Sequence, residues 1–362
     1  MKNNQFHIDF KINGNSFFSV DEVVAYSKTL SGATHQFLEE WFSTDAIIEV
    51  KTSGSTGKPK IIQLKKECMI NSALATGTFF NLPEKTTALL CMSTVYIAGK
   101  MMLVRAIVLG WCLDIVEPVS VPLKGLEKQY DFSAMVPMQL QNSLSEIHRI
   151  KKLIVGGGIV SKELEKQIQT ISTAVFATFG MTETITHIAV KKLNNFSHAE
   201  LVSASHYQIL PSVSISQDDR GCLVIDAPKV SHDKIITNDV VALVSTEEFR
   251  WLGRYDNVIN SGGIKLHPEE IEEKLSLVIS QRFFVTGIPD KTLGEKLVLI
   301  IEQNSDSSAV EQTFRKQIEL NLNEAKNLTK YQIPTKIYFV EEFVQTETKK
   351  IQRKKILDLL FK

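Results

Sequence analysis

Six strings in the 362-residue sequence carry residues whose types and spacing could do chemistry. The first, Thr52-Ser53-Gly54-Ser55-Thr56-Gly57-Lys58-Pro59-Lys60, combines four hydroxyls, two glycines and two lysines. Glycine lets the main chain approach a ligand closely. Successive N–H groups in such a turn form an anion-binding nest, to which hydroxyls and lysines add donors and charge. A phosphate chain suits this loop, although a flexible surface loop has the same composition. It is not a Walker A loop: Thr52 stands where that pattern has its first glycine, and Pro59 where it has Ser or Thr. A P-loop kinase or GTPase is therefore a poor fit.

The other five strings lie further along. Thr178-Phe179-Gly180-Met181-Thr182-Glu183-Thr184 sets an aromatic ring, a glycine and a carboxylate together, and alone reads equally as a turn with a solvated glutamate. Thr237-Asn238-Asp239 is followed by Trp251-Leu252-Gly253-Arg254-Tyr255-Asp256-Asn257, then by the glycine-bearing segment Ser261-Gly262-Gly263 that leads into Pro268-Glu269-Glu270-Ile271-Glu272. Thr346-Glu347-Thr348-Lys349-Lys350-Ile351-Gln352-Arg353, taken alone, is a basic C-terminal tail.

A scaffold for these strings is legible in the apolar pattern. Strand-like segments at 46–51, 87–92, 112–116, 133–136, 153–155 and 174–179 alternate with helical ones at 66–80, 97–109, 138–149 and 161–171. Such β-α repeats argue for a parallel sheet covered by helices, with ligands at the C-terminal ends of its strands. The phosphate loop, Gly156-Gly157-Gly158 and Phe179-Gly180 all fall at strand ends. Ahead of them, Phe6, Ile8, Phe10 and Ile12 alternate as in an edge strand, and 21–30 and 34–41 look like short helices. Between 185 and 250, short β segments separated by turns suggest an antiparallel barrel or sandwich appended to the sheet. Beyond Arg254, Pro268-Glu269-Glu270 opens a helix whose acidic first turn suits the macrodipole. Strands at 283–287, 296–302 and 336–340 and a helix at 309–320 complete a small unit. The expected fold is α/β: a large N-terminal domain, 1–255, of mainly parallel sheet with an antiparallel β subdomain, and a small mobile C-terminal α+β domain, 256–362.

Composition narrows the function classes. At 43% hydrophobic and 23% charged residues the chain reads as an ordinary globular protein. Lys plus Arg equals Asp plus Glu, 41 each, so no global field draws nucleic acid or an acidic membrane. The longest apolar stretch, Met101 to Leu113, is broken by Arg105 and too short to span a bilayer, and Met1 to Gln5 lacks the apolar core of a signal peptide. Cys68, Cys91, Cys112 and Cys222 form no CxxC pair and suit buried thiols in a reducing cytosol. The expectation is a cytoplasmic protein without membrane insertion. Its oligomeric state is open, a homodimer being one option.

Taken in order, the six strings resemble the signatures of the adenylate-forming enzymes, the superfamily of acyl-CoA synthetases, luciferases and peptide-synthetase adenylation domains. The resemblance runs from residue 52 to 353. It implies ATP, Mg²⁺ and CoA as cofactor and co-substrates, and it implies roles. Thr52, Ser53, Gly54, Ser55, Thr56, Gly57 and Lys60 would fold over the β- and γ-phosphates. Gly157, Gly158, Phe179 and Gly180 would border the nucleotide, with Phe179 stacked near adenine. Thr182 would contact the α-phosphate and Glu183 would help to hold Mg²⁺. Asp239, an acceptor-only group, would take the ribose hydroxyls together with Arg254. Asp256 would mark the hinge, and Gly262 and Gly263 would face the site when CoA is bound. Lys350 would bridge the carboxylate and the α-phosphate, stabilising the charge that develops there. Phe179 replaces the usual Tyr, Asn238 and Lys349 each replace a Gly, and only 51 residues precede the phosphate loop, which implies a shortened N-terminal subdomain. Asn238 is tolerable because Asn also enters left-handed geometry.

Within the superfamily, Ala134 to Leu140, Lys152 to Gly158 and Gly180 to Thr184 resemble segments of the o-succinylbenzoate–CoA ligase family of menaquinone biosynthesis. That implies a carboxylic acid substrate with a second carboxylate. Ser93 to Lys100 would wall the acyl pocket, with Tyr96 where most relatives have His. Lys100, Arg105 and His187 are candidates for the second carboxylate, each of which also reads as a structural or solvated residue. The alternatives are another aryl- or acyl-CoA ligase, an adenylation enzyme loading a carrier protein, and a non-catalytic nucleotide-binding homologue.

Overall fold

A computed structural model describes residues 6–51, 60–194, 206–303, 316, 328–345 and 351–361. The string 52–59, Lys349, Lys350 and nearly all of the helix expected at 309–320 lie outside the described residues. The chain packs as two units. One comprises Met1–Ser216, Val224–Ile235 and Leu243–Phe249, and the other Gln217–Leu223, Ile236–Ala242 and Arg250–Lys362. The division does not follow a single point in the sequence.

The strands of the first unit are β1 (Lys11–Ile12), β2 (Asn15–Ser16), β3 (Ile47–Lys51), β4 (Ile61–Lys65), β5 (Thr87–Leu90), β6 (Cys112–Ile115), β7 (Tyr130–Met135), β8 (Ile150–Val155), β9 (Ala174–Gly180), β10 (His187–Lys192) and β11 (Tyr207–Ile209). The main sheet runs β2-β1-β6-β5-β7-β8-β9-β10-β11. Its pairs from β1 to β9 are parallel, and β10 then pairs antiparallel to β9 and to β11. A parallel sheet is covered on both faces, so its strands read as near-continuous apolar runs. Leu90, Phe132 and Ile154 enter one core with Phe37, Met69 and Trp111, while Leu89, Tyr130, Leu153 and Val175 enter another. The helix Ile97–Leu109 is buried almost all round, from Gly99 to Ile107, as a helix apolar on every side must be. Gly110, at φ 71°, closes it in the left-handed region.

Four expectations need correction. The strand before the phosphate loop is not part of the parallel sheet: β3 pairs antiparallel with β4 in a sheet of two strands, so residues 52–60 join the two arms of a hairpin. The antiparallel strands after 185 are present and joined to the main sheet as expected, but β10 and β11 continue that sheet and do not close a barrel or sandwich on it. The apolar periodicity at 138–149 is split into an α-helix, Pro137–Asn142, and a 3₁₀ turn, Ile147–Arg149, because Ser143 leaves the helical region at φ −113°, ψ 11°. Of the alternating residues at the front, only Lys11 and Ile12 are strand. Phe10 instead turns back to bond the His7 carbonyl.

Four further strands, β12 (Ser214–Gln217), β13 (Cys222–Asp226), β14 (Ile235–Leu243) and β15 (Glu248–Arg254), each carry residues of both units. The second unit then builds β16 (Ile259–Ser261), β17 (Ile264–Leu266), β18 (Phe283–Asp290), β19 (Gly294–Glu302) and β20 (Lys336–Val340), in the order β17-β16-β19-β18 with β20 parallel on β19. Alternation at period two sends Val285, Leu297 and Leu299 to one face with Ile271 and Leu275, and Phe284, Val298 and Ile300 to the other with Phe343 and Ile356.

Candidate functional site

In the first unit, β9 ends at the second string. The Phe179 ring is held edge-on to Phe249 at 5.1 Å and to Tyr207 at 5.7 Å. Gly180 is required sterically: a Cβ there would lie 2.0 Å from the Thr186 carbonyl oxygen. The chain can double back this closely only without a side chain. Residues Thr182–Thr184 form a 3₁₀ turn in which the buried Thr184 hydroxyl accepts from the Met181 N–H at 3.0 Å and reaches the Thr186 carbonyl at 2.6 Å. Ile185 follows at φ 65°, a left-handed geometry that is strained for a β-branched residue. Glu183 is exposed on this turn, and among the described residues nothing bonds its carboxylate. An unspent hard oxygen donor fits Mg²⁺, which takes one or two carboxylates and fills its shell with water and phosphate oxygens. Gly157 and Gly158 are exposed at the end of β8, and a Cβ on Gly156 would strike the Thr178 hydroxyl at 2.5 Å.

A cavity of about 140 Å³ adjoins this turn, lined in part by Ser72, Ala75, His187, Ile188, Val213 and Lys229. His187 is buried, and its Nε2 has no partner among the described residues. Behind the wall lies Arg105, 2% exposed. Its guanidinium bonds the hydroxyls of Thr76 at 3.4 Å and Thr186 at 3.3 Å, and Thr186 in turn meets Ser72 at 3.2 Å. Among the described residues no carboxylate pairs with it. Burial lowers Arg105 to about 10. Burial and then the Arg105 charge hold His187 well below the usual histidine range, so its ring is neutral. Lys100 is spent elsewhere: it lies 3.9 Å from Glu40 and 4.6 Å over the Phe37 ring, and burial, opposed by Glu40, lowers its pKa. Tyr96 is exposed at the N-cap of Ile97–Leu109.

In the second unit, β14 and β15 bring three of the expected residues together. Asp239 is buried, accepts from the Trp251 indole N–H at 2.9 Å through Oδ1, and lies 3.6 Å from Arg254 through Oδ2. Burial raises its pKa, while the Trp251 bond and the Arg254 charge oppose the rise. The Thr237 hydroxyl fixes the strand locally, accepting from the Asp239 N–H at 3.0 Å and donating to the Leu223 carbonyl at 2.8 Å. Asn238 needs no left-handed geometry, because it sits inside β14 without a positive φ. Its amide instead donates to Asp256 at 3.3 Å and accepts from Arg220 at 2.9 Å. Arg254 also reaches Asp256, at 3.4 Å. Gly262 and Gly263, at φ 58° and 83°, are the two central residues of the β16–β17 hairpin, a primed turn that demands both angles positive.

Lys350 lies outside the described residues, but its flanks do not. Gln345 and Ile351 bridge, and Arg353 pairs with Glu272 at 2.8 Å. Sequence reasoning passed over Trp251 as part of a motif and over Ser72 and Thr186 altogether. Indole and hydroxyl groups carry no sequence signal of which way they donate.

Comparison with known proteins bears on this layout. The model of the AMP-binding enzyme family matches residues 28–216. The chain is 23% identical over 357 residues to a 2-succinylbenzoate–CoA ligase of a Geobacillus species, covering 90% of this chain and 71% of that one. It is 27% identical over 343 residues to the same-named ligase of Listeria monocytogenes, covering 88% and 71%. Among solved structures, an acyl-CoA synthetase (AMP-forming)/AMP-acid ligase II-like protein from Dyadobacter fermentans is similar at a TM-score of 0.59 and 36% identity, covering 93% of this chain and 98% of that one. An o-succinylbenzoate CoA synthetase from Bacillus subtilis, in complex with its acyl-adenylate intermediate, shares the fold at a TM-score of 0.71 and 19% identity, covering 94% and 81%.

Proposed function

The chain belongs to the AMP-binding enzyme family, and on that premise we propose that it activates 2-succinylbenzoate with ATP and passes the acyl group to CoA. In the first step the acid's carboxylate oxygen attacks the α-phosphorus, and the bond to pyrophosphate breaks. In the second, the CoA thiolate attacks the acyl carbon and AMP leaves. Glu183 would hold Mg²⁺, which neutralises phosphate charge. Lys350 serves the first step, and the Gly262–Gly263 turn the second.

The observation that carries the substrate reading is Arg105. A buried cation without a counter-charge is costly, several kcal/mol even after relaxation. Here the guanidinium stands two hydroxyls, Thr186 and Ser72, behind the cavity lined by His187, whose Nε2 is unpartnered among the described residues. A substrate with a second carboxylate would supply the missing negative charge, whereas a plain benzoate or fatty acid would not. Of the three candidates for that carboxylate, Lys100 is already neutralised by Glu40.

Pyrophosphate release from Mg·ATP, with mass detection of the CoA adduct, tests this. Release should depend on 2-succinylbenzoate, and Arg105→Leu should lower kcat/KM for that acid about tenfold, its charge acting across the Thr186 and Ser72 hydroxyls and not by a direct hydrogen bond. Turnover of benzoate or a fatty acid without turnover of 2-succinylbenzoate would overturn the substrate assignment.

A further inference from the structure

Asp239 can serve a ribose only if its carboxylate is ionised and correctly turned, and the structure shows what turns it. A carboxylate has about four lone-pair directions. Among the described residues its one side-chain hydrogen bond is from the Trp251 indole, at 2.9 Å to Oδ1. Arg254, at 3.6 Å from Oδ2, is within ion-pair but not hydrogen-bond distance. Oδ2 therefore keeps its acceptor capacity. Asp239 is 7% exposed, so water offers little to fix its rotamer. The indole is donor-only and rigid, and it stands on β15 while Asp239 stands on the adjacent β14.

We propose that Trp251 is a positioning residue for the nucleotide: its indole N–H pins the Asp239 carboxylate so that Oδ2 is presented to the ribose hydroxyls. The inference rests on the reading of Asp239 as the ribose acceptor. It adds a residue that touches no substrate atom yet sets ATP affinity through another side chain.

The test compares binding of ATP and of 2′,3′-dideoxy-ATP to the full chain by calorimetry. Trp251→Phe removes the donor and keeps an aromatic ring. It should weaken ATP about tenfold, as expected for one charge-assisted hydrogen bond, and leave the dideoxy nucleotide within about twofold. Trp251→His, which retains a ring N–H, should recover part of the loss. The two variants carry the comparison independently, so a folding defect in one leaves the other to decide. Equal weakening of both nucleotides would mean that Trp251 only packs, and would overturn the proposal. So would unchanged ATP binding in Trp251→Phe when Asp239→Asn is impaired. If Asp239→Asn itself binds ATP normally, the ribose reading fails, which is a different result from failure of the Trp251 assignment.

Discussion

A buried carboxylate that is to accept from a ligand must stay ionised against its own desolvation, and Asp239, proposed above as the ribose acceptor, faces that cost. Burial pushes its pKa above the ordinary 3.8, and Trp251 and then Arg254 pull it back, while Glu269 and Asp256 add to the rise. The sign of the pH effect follows. The ionised form accepts ribose hydroxyls, so nucleoside affinity is complete above the raised pKa and is lost as pH falls through it. Adenosine, which carries no phosphate to titrate in the same window, isolates the effect. Its dissociation constant should rise as pH falls from neutral, starting at a higher pH than an unperturbed aspartate would allow. With Asp239→Asn, binding should be weak and flat over that range. A flat profile in the unaltered protein would refute ionisation of Asp239 as the controlling event.

The turn after β9 shows how one element stores strain and what restrains it. Ile185 sits at φ 65° yet is only 1% exposed. Relief of a left-handed β-branched residue is worth about 1–3 kcal/mol, whereas removing a buried isoleucine side chain costs about 2–5 kcal/mol. Burial wins, so Ile185→Gly should be net destabilising by about 1–2 kcal/mol in denaturant unfolding, and a gain in stability would reverse the ranking. This turn was legible in the sequence as Phe179-Gly180 at a strand end, because Gly and an apolar run are strong local signals. The hairpin of β3 and β4 was not, since Ile61 to Lys65 is a brief alternation directly after a glycine-rich loop. The helix over 138–149 had the right periodicity, and it ends at Ser143, whose backbone angles leave the helical region. Arg105 was visible only as an interruption of an apolar stretch. That it lacks an acid partner depends on residues far away in sequence, Thr76 and Thr186, and no spacing rule reaches those.

For the molecule as a whole, two chemical steps must be served by one chain whose formal net charge is +0. Electrostatic steering is then local, and each step depends on where particular cations and turns stand. Lys350 and the Gly262–Gly263 hairpin are assigned to different steps. Their effects should therefore separate. Lys350→Ala should slow pyrophosphate release about a hundred- to a thousandfold, the usual cost of losing one group aimed at developing charge. Transfer to CoA from a synthetic acyl-adenylate supplied in solution should stay within about twofold. Gly263→Val should do the reverse, because at this exposed turn nothing offsets the strain of a β-branched residue at the positive φ of 83° that the hairpin needs, and the CoA step should fall while adenylation persists. Half-reaction rates measured for both variants decide the matter. Equal loss of both steps in Lys350→Ala, or undiminished adenylation, would remove the assignment of that lysine to adenylation.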